Sequence, residues 1–359
     1  MERIKMEGMS EKSDELVSFV RTLMVKSYPK SWQRLWEDIY SVSQSVKIAH
    51  NASLEVFKLV YGCVTKEEEG RPVSTGFLVG DTEKLMECLP ESADIQLDRK
   101  YIGEASDRLR HLFGLIDGVS SIFVIGKEGM VEDARLLPIE RAPTSEESYA
   151  SCDFASHCNS LSDAPAYGLL ALGGYKTAKF MVEGSVRSEV YFSGKTGDWT
   201  YRSIAELSRV LDEASAAKGI KKALLHKMLG VAINMSNHRK GGTMVIGDSE
   251  AVLRQSEPPR LKLKGANILK LMGPQERHLY NLATQEFGLV IGKEGDLVGA
   301  SVRFLARVPD NVHIDVTPSD GGRHRSACEI SACADAISFV VSDDGPITVY
   351  MAGKRIARV

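Results

Sequence analysis

The stretch GGRHRSA at residues 321–327, followed by the apolar run AISFVV at residues 336–341, decides the fold expected for the C-terminal part of this chain. The two glycines permit a tight turn and close approach to the backbone, because glycine has no Cβ. Arg323 and Arg325 carry guanidinium groups, which stay charged and can bind phosphate oxygens through two hydrogen bonds at once. By itself such a segment is either a phosphate-binding loop or a solvated basic turn.

The residues that follow this loop predict a β-hairpin. The apolar, β-branched run predicts a buried strand, and SDDG at residues 342–345 is typical of the turn that ends such a strand. ITVYM at residues 347–351 then predicts the returning strand.

This succession resembles the DAC (diadenylate cyclase) domain, the nucleotide-binding domain of DisA-type proteins. In that family a glycine, a small residue and the motif RHR-x-A precede a short helix, an Asp-Ala strand, and a turn of serine, two acids and glycine. The resemblance covers roughly residues 221–355, and GGTMVI at residues 241–246 is similar to the family's glycine-led first strand. It implies a domain that binds an adenine nucleotide, such as ATP, or a cyclic dinucleotide.

The resemblance also implies roles for individual residues of the loop. Arg323 and Arg325 would bind phosphate, Ser326 would offer a further donor, and Gly322 would form part of the turn. His324 would either hydrogen-bond a phosphate or orient the loop. This segment is therefore the predicted nucleotide-binding loop.

One position departs from the family pattern. The family's Asp-Gly-Ala motif, whose Asp is linked to the catalytic metal, has its best counterpart here in Phe287, Gly288 and Leu289. The resemblance places Gly288 and Leu289 beside the nucleotide, with Gly288 allowing close approach of the base or ribose. Phenyl cannot ligate Mg²⁺, which prefers oxygen donors. The neighbouring Glu286 would point to the opposite face of a strand unless a bulge re-aimed it.

The sequence therefore leaves the identity of any catalytic residues open. Asp343 and Asp344 match the family's acidic pair, and they either assist a metal or form an ordinary hairpin turn. Together with Glu286 they are the candidates, with Mg²⁺ or Mn²⁺ expected as cofactor if the protein is catalytic and none otherwise. The family makes cyclic di-AMP from two ATP molecules held in facing subunits, so catalysis would require a homodimer.

Composition limits the classes of protein that this chain can represent. Its 359 residues are 43% hydrophobic and 26% charged, as in a soluble globular protein, and a net charge of -3 predicts neither nucleic-acid nor membrane binding. The polar, mixed-charge segment at residues 1–16 is unlike a signal or transit peptide, and no run reaches the roughly 18 apolar residues of a membrane span. Six scattered cysteines predict reduced thiols. A cytoplasmic location is expected.

An internal repeat predicts that the fold is duplicated. The matching pairs are GD at 80–81 and 247–248, FVIGKEG at 123–129 and LVIGKEG at 289–295, His157 and His324, and YFSGK at 191–195 and YMAGK at 350–354. The first three pairs are separated by 166 or 167 residues, and the last by 159. One such pair is explained by two ordinary turns, whereas several in the same order indicate duplication.

The first copy is predicted to be degenerate. Ser156 and Cys158 stand where the second copy has its two arginines. Asp117 begins an Asp-Gly-Val segment that lies about four residues too early for the motif position, so it is either a turn or a displaced functional site. The role expected for this copy is structural.

The overall prediction is an α/β (α+β) protein with two tandem DAC-like domains, each a central mixed sheet flanked by helices. Helices are predicted from Asp14 to Lys26, from Ser31 onward, from a capping box that begins at Ser203, and from Ala223 to Met235. The predicted domains are an N-terminal helical region (1–50), a degenerate DAC-like domain (51–200), a helical connector (201–220) and the nucleotide-binding domain (221–359).

Three functions are compatible with these patterns. Retained arginines with a lost metal-linked acid favour a sensor or pseudo-cyclase, which binds ATP or a cyclic dinucleotide without turnover. An active diadenylate cyclase is the alternative, and it would need a substitute acid. A purely structural scaffold is the third, but it leaves the arginine loop of the second copy unexplained.

Overall fold

The computed structural model describes residues 27–65, 67–68, 71–88, 94–95, 100–104, 116, 121–136, 166–182, 185–193, 197–271, 276–309, 313–317 and 320–359. The helix predicted from Asp14 to Lys26 lies outside these residues, as do Asp117, Ser156, His157 and Cys158. The described chain divides into two compact units between Arg202 and Ser203, except that Ser193 groups with the second.

The main elements of the first unit are two long helices, one short helix and eleven strands among the described residues. They are α1 (Lys30–Ser45), α2 (His50–Thr65), β1 (Glu67–Glu68), β2 (Arg71–Pro72), β3 (Ser74–Gly80), α3 (Thr82–Cys88), β4 (Asp94–Ile95), β5 (Lys100–Tyr101), β6 (Ser121–Gly126), β7 (Met130–Leu136), β8 (Ala166–Leu172), β9 (Thr177–Val182), β10 (Ser185–Ser193) and β11 (Asp198–Ser203). Its main sheet has the order β11-β10-β9-β8-β3-β6-β7-β4, with β5 also paired to β7. The central pair, β3 and β6, is parallel.

Helices α1 and α2 bury their apolar faces in the same core as one face of this sheet. The shared core includes Trp32 and Leu35 of α1, Phe57 of α2, and Phe77 and Phe123 of the sheet. The helix predicted from Ser31 onward is confirmed as α1, which begins directly after Pro29. Residues 1–50 were expected to form a region of their own, whereas α1 packs as part of the first unit.

The second unit contains five α-helices and seven strands among the described residues. They are α4 (Ile204–Lys218), α5 (Lys222–Asn237), β12 (Gly242–Gly247), α6 (Ser249–Arg254), β13 (Leu261–Lys262), α7 (Glu276–Ala283), β14 (Gly288–Gly292), β15 (Leu297–Val302), α8 (Gly322–Cys333), β16 (Ala336–Val341), β17 (Ile347–Met351) and β18 (Lys354–Arg358). The sheet order is β13-β15-β14-β12-β16-β17-β18. Strands β12 and β14 are parallel, and their other partners are antiparallel.

Helices lie on both faces of the second sheet. A Cβ built on Gly241 would lie within 3.0 Å of Arg323 from α8, whereas one on Gly242 would lie within 3.0 Å of Met235 from α5. Because consecutive residues at a strand point to opposite faces, α8 and α5 cover opposite faces of the sheet. This arrangement confirms the predicted mixed sheet flanked by helices.

The predicted capping box explains where α4 begins. The Ser203 hydroxyl accepts a hydrogen bond from the Glu206 amide at 3.3 Å, which satisfies one of the free N–H groups of the first turn. Gly219 ends the helix with a left-handed φ of 61°, which glycine adopts without a steric penalty. Residues 201–220 were expected to form a connector, whereas α4 groups with the second unit.

The two sheets share a path of six strands in the same order and with the same directions. The path β10-β9-β8-β3-β6-β7 corresponds to β18-β17-β16-β12-β14-β15, each with one parallel pair at its centre. Each unit also has two helices before its central strand and a short helix after it. These similarities support the predicted duplication.

The register of the central strands follows the repeat anchors. Gly80 pairs with Gly126 in the first sheet, and Gly247 pairs with Gly292 in the second. The last anchor was wrong, because the strand that carries residue 191 is β10, which matches β18 in position, while residue 350 lies on β17. Among the described residues, no helix combines the length and apolarity needed to cross a bilayer.

Candidate nucleotide-binding site

The predicted loop opens helix α8 in the second unit. The helix begins at Gly322, so the two arginines and the histidine lie in its first turn rather than before it. Gly321 is the N-cap residue and has no side chain with which to cap the free N–H groups. A Cβ on either glycine would meet nothing within 4 Å, so the start of the helix is open. An open helix start attracts anions, because its N–H groups and the helix dipole carry partial positive charge.

Arg323 connects this helix to the strand ends beside it. Its Nη1 lies 3.0 Å from Oδ2 of Asp343, which sits in the turn after β16. The other carboxylate oxygen, Oδ1, accepts a hydrogen bond from the Gly241 amide at 2.7 Å. The side chains of Arg323 and Asp343 are 49% and 70% exposed, so a phosphate group could reach the guanidinium by displacing the carboxylate.

His324 is part of the support of the loop. The residue is only 8% exposed. Its Nδ1 lies 3.0 Å from the Tyr350 hydroxyl, and its Nε2 lies 3.1 Å from the Ser342 hydroxyl. Burial lowers the pKa of the imidazole, and the nearby Asp320 opposes this shift. Because both ring nitrogens have protein partners, this geometry fits the orienting role better than phosphate binding.

The remaining loop residues differ in how accessible they are. Arg325 is exposed, and its Nε lies 3.6 Å from Oε1 of Glu329 one turn later in α8. The Ser326 hydroxyl donates a hydrogen bond to the Arg323 carbonyl at 3.2 Å, so its hydrogen already has a partner within α8. Arg325 therefore keeps most of its donors available, whereas Ser326 would have to rotate to contact a ligand.

The segment at the Asp-Gly-Ala position is a bend rather than a strand. Phe287 has a left-handed φ of 71°, and β14 begins only at Gly288. Strand alternation therefore does not decide where Glu286 points. Its Oε2 lies 3.0 Å from Nη1 of Arg260, and the Arg260 guanidinium carbon lies 4.9 Å from the centroid of the Phe287 ring.

Gly288 and Leu289 face the protein interior. A Cβ on Gly288 would lie within 3.0 Å of the Phe304 ring, so this glycine accommodates a side chain of its own chain. The Leu289 side chain is completely buried in the sheet. We expected Gly288 to admit a base or ribose, but the space next to its Cα is occupied by Phe304.

Strand pairing brings these features to one edge of the sheet. Gly242 pairs with Val341 at the end of β16, and Thr243 pairs with Gly288 at the start of β14. Neighbouring strands lie about 4.8 Å apart. The start of α8, the Arg323–Asp343 pair and the bend at Phe287 therefore share this edge.

The acids at this edge do not assemble a site for a divalent cation. Glu286 pairs with Arg260, and Asp343 is held by Arg323 and a backbone amide. In the described part of the chain, no three His, Cys, Asp or Glu side chains are grouped so that they could hold a metal ion. Asp344 lies in the same turn and is half-buried. The donors present therefore do not fit Mg²⁺, which requires several oxygen ligands.

Sequence reasoning missed Arg260 and Phe304. Arg260 precedes the two-residue edge strand β13, and Phe304 follows β15. Neither belongs to a motif, and both reach the bend at Phe287 and Gly288 only through the pairing of β13, β15 and β14. A basic residue after two prolines is too common to have marked the site.

Comparison with known proteins supports the predicted class of domain. Residues 231–355 match the family model of DAC, described as DisA bacterial checkpoint controller nucleotide-binding. The matched segment contains the loop, the bend at Phe287 and the turn after β16. No match was found among curated proteins.

Two solved structures are similar to part of the chain. One is the crystal structure of a hypothetical membrane spanning protein from Bacillus cereus, with 19% identity, a TM-score of 0.27, and coverage of 35% of this chain and 58% of that chain. The other is a double cysteine mutant of DacA from Staphylococcus aureus, with 19% identity, a TM-score of 0.28, and coverage of 38% of this chain and 85% of that chain. The chain thus spans 58% of the Bacillus cereus protein. Residues 231–355 are therefore similar to the DAC family of nucleotide-binding domains.

Proposed function

We propose that the second unit binds an adenine nucleotide or a cyclic dinucleotide at the start of α8 and acts as a sensor or pseudo-cyclase. The observation that carries this proposal is the open Gly-Gly start of a helix inside the DAC-matched segment, with two accessible arginines in its first turn. Phosphate would contact the free N–H groups of that turn together with Arg323 and Arg325. We place the nucleotide-binding domain at residues 221–359 and the protein in the cytoplasm.

The chemistry of the site supports binding more strongly than turnover. Nucleotidyl transfer requires neutralisation of the charge that spreads over the phosphate in the transition state, usually by a metal ion and arginines. Phe287 occupies the position of the family's metal-linked acid, and the neighbouring Glu286 pairs with Arg260. Arginines are present, but an assembled set of metal ligands is not found among the described residues.

An active diadenylate cyclase is the second candidate. The family match and the arginines of α8 favour it. It would require Asp343, Asp344 or Glu286 to leave its present contacts for Mg²⁺ or Mn²⁺, and two chains to meet through their second units. We assign the first unit the role of a degenerate DAC-like fold, which the shared strand order supports.

Equilibrium binding of ATP and of cyclic di-AMP tests this proposal. We expect Arg323→Ala to weaken binding by about tenfold or more, because a charge-assisted hydrogen bond to phosphate is lost. Arg209→Ala is the matched control, since Arg209 is an exposed arginine of α4 that pairs with Glu213 on the same helix. Unchanged affinity in Arg323→Ala would refute the site.

The same preparations distinguish the two candidate functions. Incubation with ATP and Mg²⁺ or Mn²⁺, followed by chromatography, detects cyclic di-AMP. Saturable binding without product supports the sensor. Product that disappears in Arg323→Ala would establish the cyclase instead.

A further inference from the structure

We propose that Arg260 is a second cationic anchor for the nucleotide and that it allows this site to bind its ligand without a divalent cation. The inference rests on the proposed function, because it names how the same site neutralises phosphate. It also assigns a role to a residue that belongs to none of the motifs in the sequence.

Two contacts hold the Arg260 guanidinium in place. Its carbon lies 4.9 Å from the centroid of the Phe287 ring, and its Nη1 lies 3.0 Å from Oε2 of Glu286. Stacking on an aromatic ring and pairing with a carboxylate restrict a side chain that otherwise has many rotamers. These two contacts favour a position of the guanidinium beside the bend at Phe287 before any ligand binds.

Most of the hydrogen-bonding capacity of Arg260 is still available. A guanidinium has five N–H donors. Within the described part of the chain, its only hydrogen-bond partner is Glu286, and its side chain is 61% exposed. Several donors can thus contact phosphate oxygens while the stacking on Phe287 is kept.

The position of Arg260 relative to the loop follows from strand pairing. Phe287 precedes Gly288, which pairs with Thr243, so the bend at Phe287 lies one strand spacing from the start of β12. Gly241, just before β12, donates a hydrogen bond to Asp343, and a Cβ built on it would meet the Arg323 guanidinium. Two strand spacings amount to roughly 10 Å of sheet edge. The bend that the Arg260 side chain contacts and the start of α8 therefore lie near enough to each other to serve one nucleotide.

The donors at the bend suit an anion and not a metal ion. The Phe287 ring offers no oxygen, and Glu286 already pairs with a guanidinium. A divalent cation would have to displace Arg260 from that carboxylate and would then lie beside its positive charge. A phosphate group at the same place is attracted by the positive charge of Arg260, and the guanidinium can bind it directly.

The test measures the affinity for ATP and for cyclic di-AMP in buffer with Mg²⁺ and in buffer with EDTA. We expect the wild-type protein to bind equally well in both buffers. Arg260→Ala should bind about tenfold or more weakly in both, because a charged donor to phosphate is lost. Arg260→Lys should fall between the two, because lysine keeps the charge but lacks the planar fork. Arg209→Ala again serves as the control.

Two results would overturn the inference. One is binding by the wild-type protein that appears only with Mg²⁺, and the other is an Arg260→Ala variant that binds like Arg209→Ala. If Arg323→Ala still weakens binding in either case, the proposed function stands and only the role of Arg260 is refuted. Absence of nucleotide binding in both buffers would overturn both proposals.

Discussion

Gly241 and Gly242 allow binding and folding to be separated experimentally, because the same substitution at each meets a different obstacle. A Cβ on Gly241 would lie within 3.0 Å of Nη1 of Arg323 and Oδ1 of Asp343, the ends of two flexible exposed side chains. A Cβ on Gly242 would lie within 3.0 Å of the Ala283 carbonyl, which is backbone and cannot move aside easily.

The expected change in stability follows from these contacts. Gly241→Ala would displace an exposed ion pair, which contributes about 0–1 kcal/mol. The hydrogen bond from the Gly241 amide contributes a further 0.5–1.5 kcal/mol or so. Alanine also restricts the unfolded chain, which raises the free energy of unfolding by about 0.4–1 kcal/mol. This gain applies because the φ of Gly241 is not left-handed, so alanine can adopt it. The free energy of unfolding should therefore fall by only about 1 kcal/mol in Gly241→Ala, whereas overpacking against the backbone in Gly242→Ala should lower it by about 1–3 kcal/mol.

Nucleotide affinity should be affected more by Gly241→Ala than by Gly242→Ala, which is the reverse of the order expected for stability. Gly241→Ala pushes the Arg323 guanidinium away from its place beside the start of α8, so nucleotide affinity should fall by about tenfold. Urea denaturation gives the stability and equilibrium binding of ATP gives the affinity for each variant. A Gly241→Ala protein with wild-type affinity would refute the reasoning that the position of Arg323 matters for phosphate.

Two further predictions concern stability. Because burial lowers the pKa of His324 below its ordinary value of 6.5, the unfolded state takes up its proton first. The contribution of His324 to the free energy of unfolding is thus complete above about pH 6.5 and is lost as the pH falls toward the lower folded pKa. The difference in urea midpoint between wild type and His324→Gln should therefore shrink as the pH falls from about 8 to about 5.5. A difference that stays constant over this range would contradict the prediction. In the first unit, Glu189 and Arg202 form a completely buried ion pair at 2.7 Å. Glu189→Ala leaves a buried charge without its carboxylate and should lower stability by about 3–5 kcal/mol; a thermal melt like that of the wild type would show that the pair does not stabilise the unit.

Local patterns in the sequence predicted part of the second unit. Alternating and β-branched runs identified β16 and β17, and the capping box identified the start of α4, because these features depend on neighbouring residues. The offset of 166 or 167 residues between repeat anchors pointed to two similar sheets before their order was known. The phosphate-binding role of the loop remains a prediction.

Other features depend on residues that are far apart in the chain. Strand alternation was a misleading guide to the direction of the Glu286 side chain, because Phe287 has a left-handed φ and this segment is not part of the strand. Gly288 was expected beside a ligand, but Phe304 occupies the space next to it. The side chain of Arg260 was missed because it is 26 residues distant from its partner Glu286.

The sequence by itself determined that α1, α4 and α5 are helices, that β16 and β17 are strands, and which residue types could bind phosphate. These properties depend on periodicity, turn chemistry and the charge of guanidinium groups, all of which act over a few residues. Only the tertiary structure decided that Asp343 holds Arg323, that His324 is buried between two hydroxyls, and that Arg260 stacks on Phe287. The physical reason is that strand register and helix packing set these contacts, and both are formed by residues that are distant in the chain.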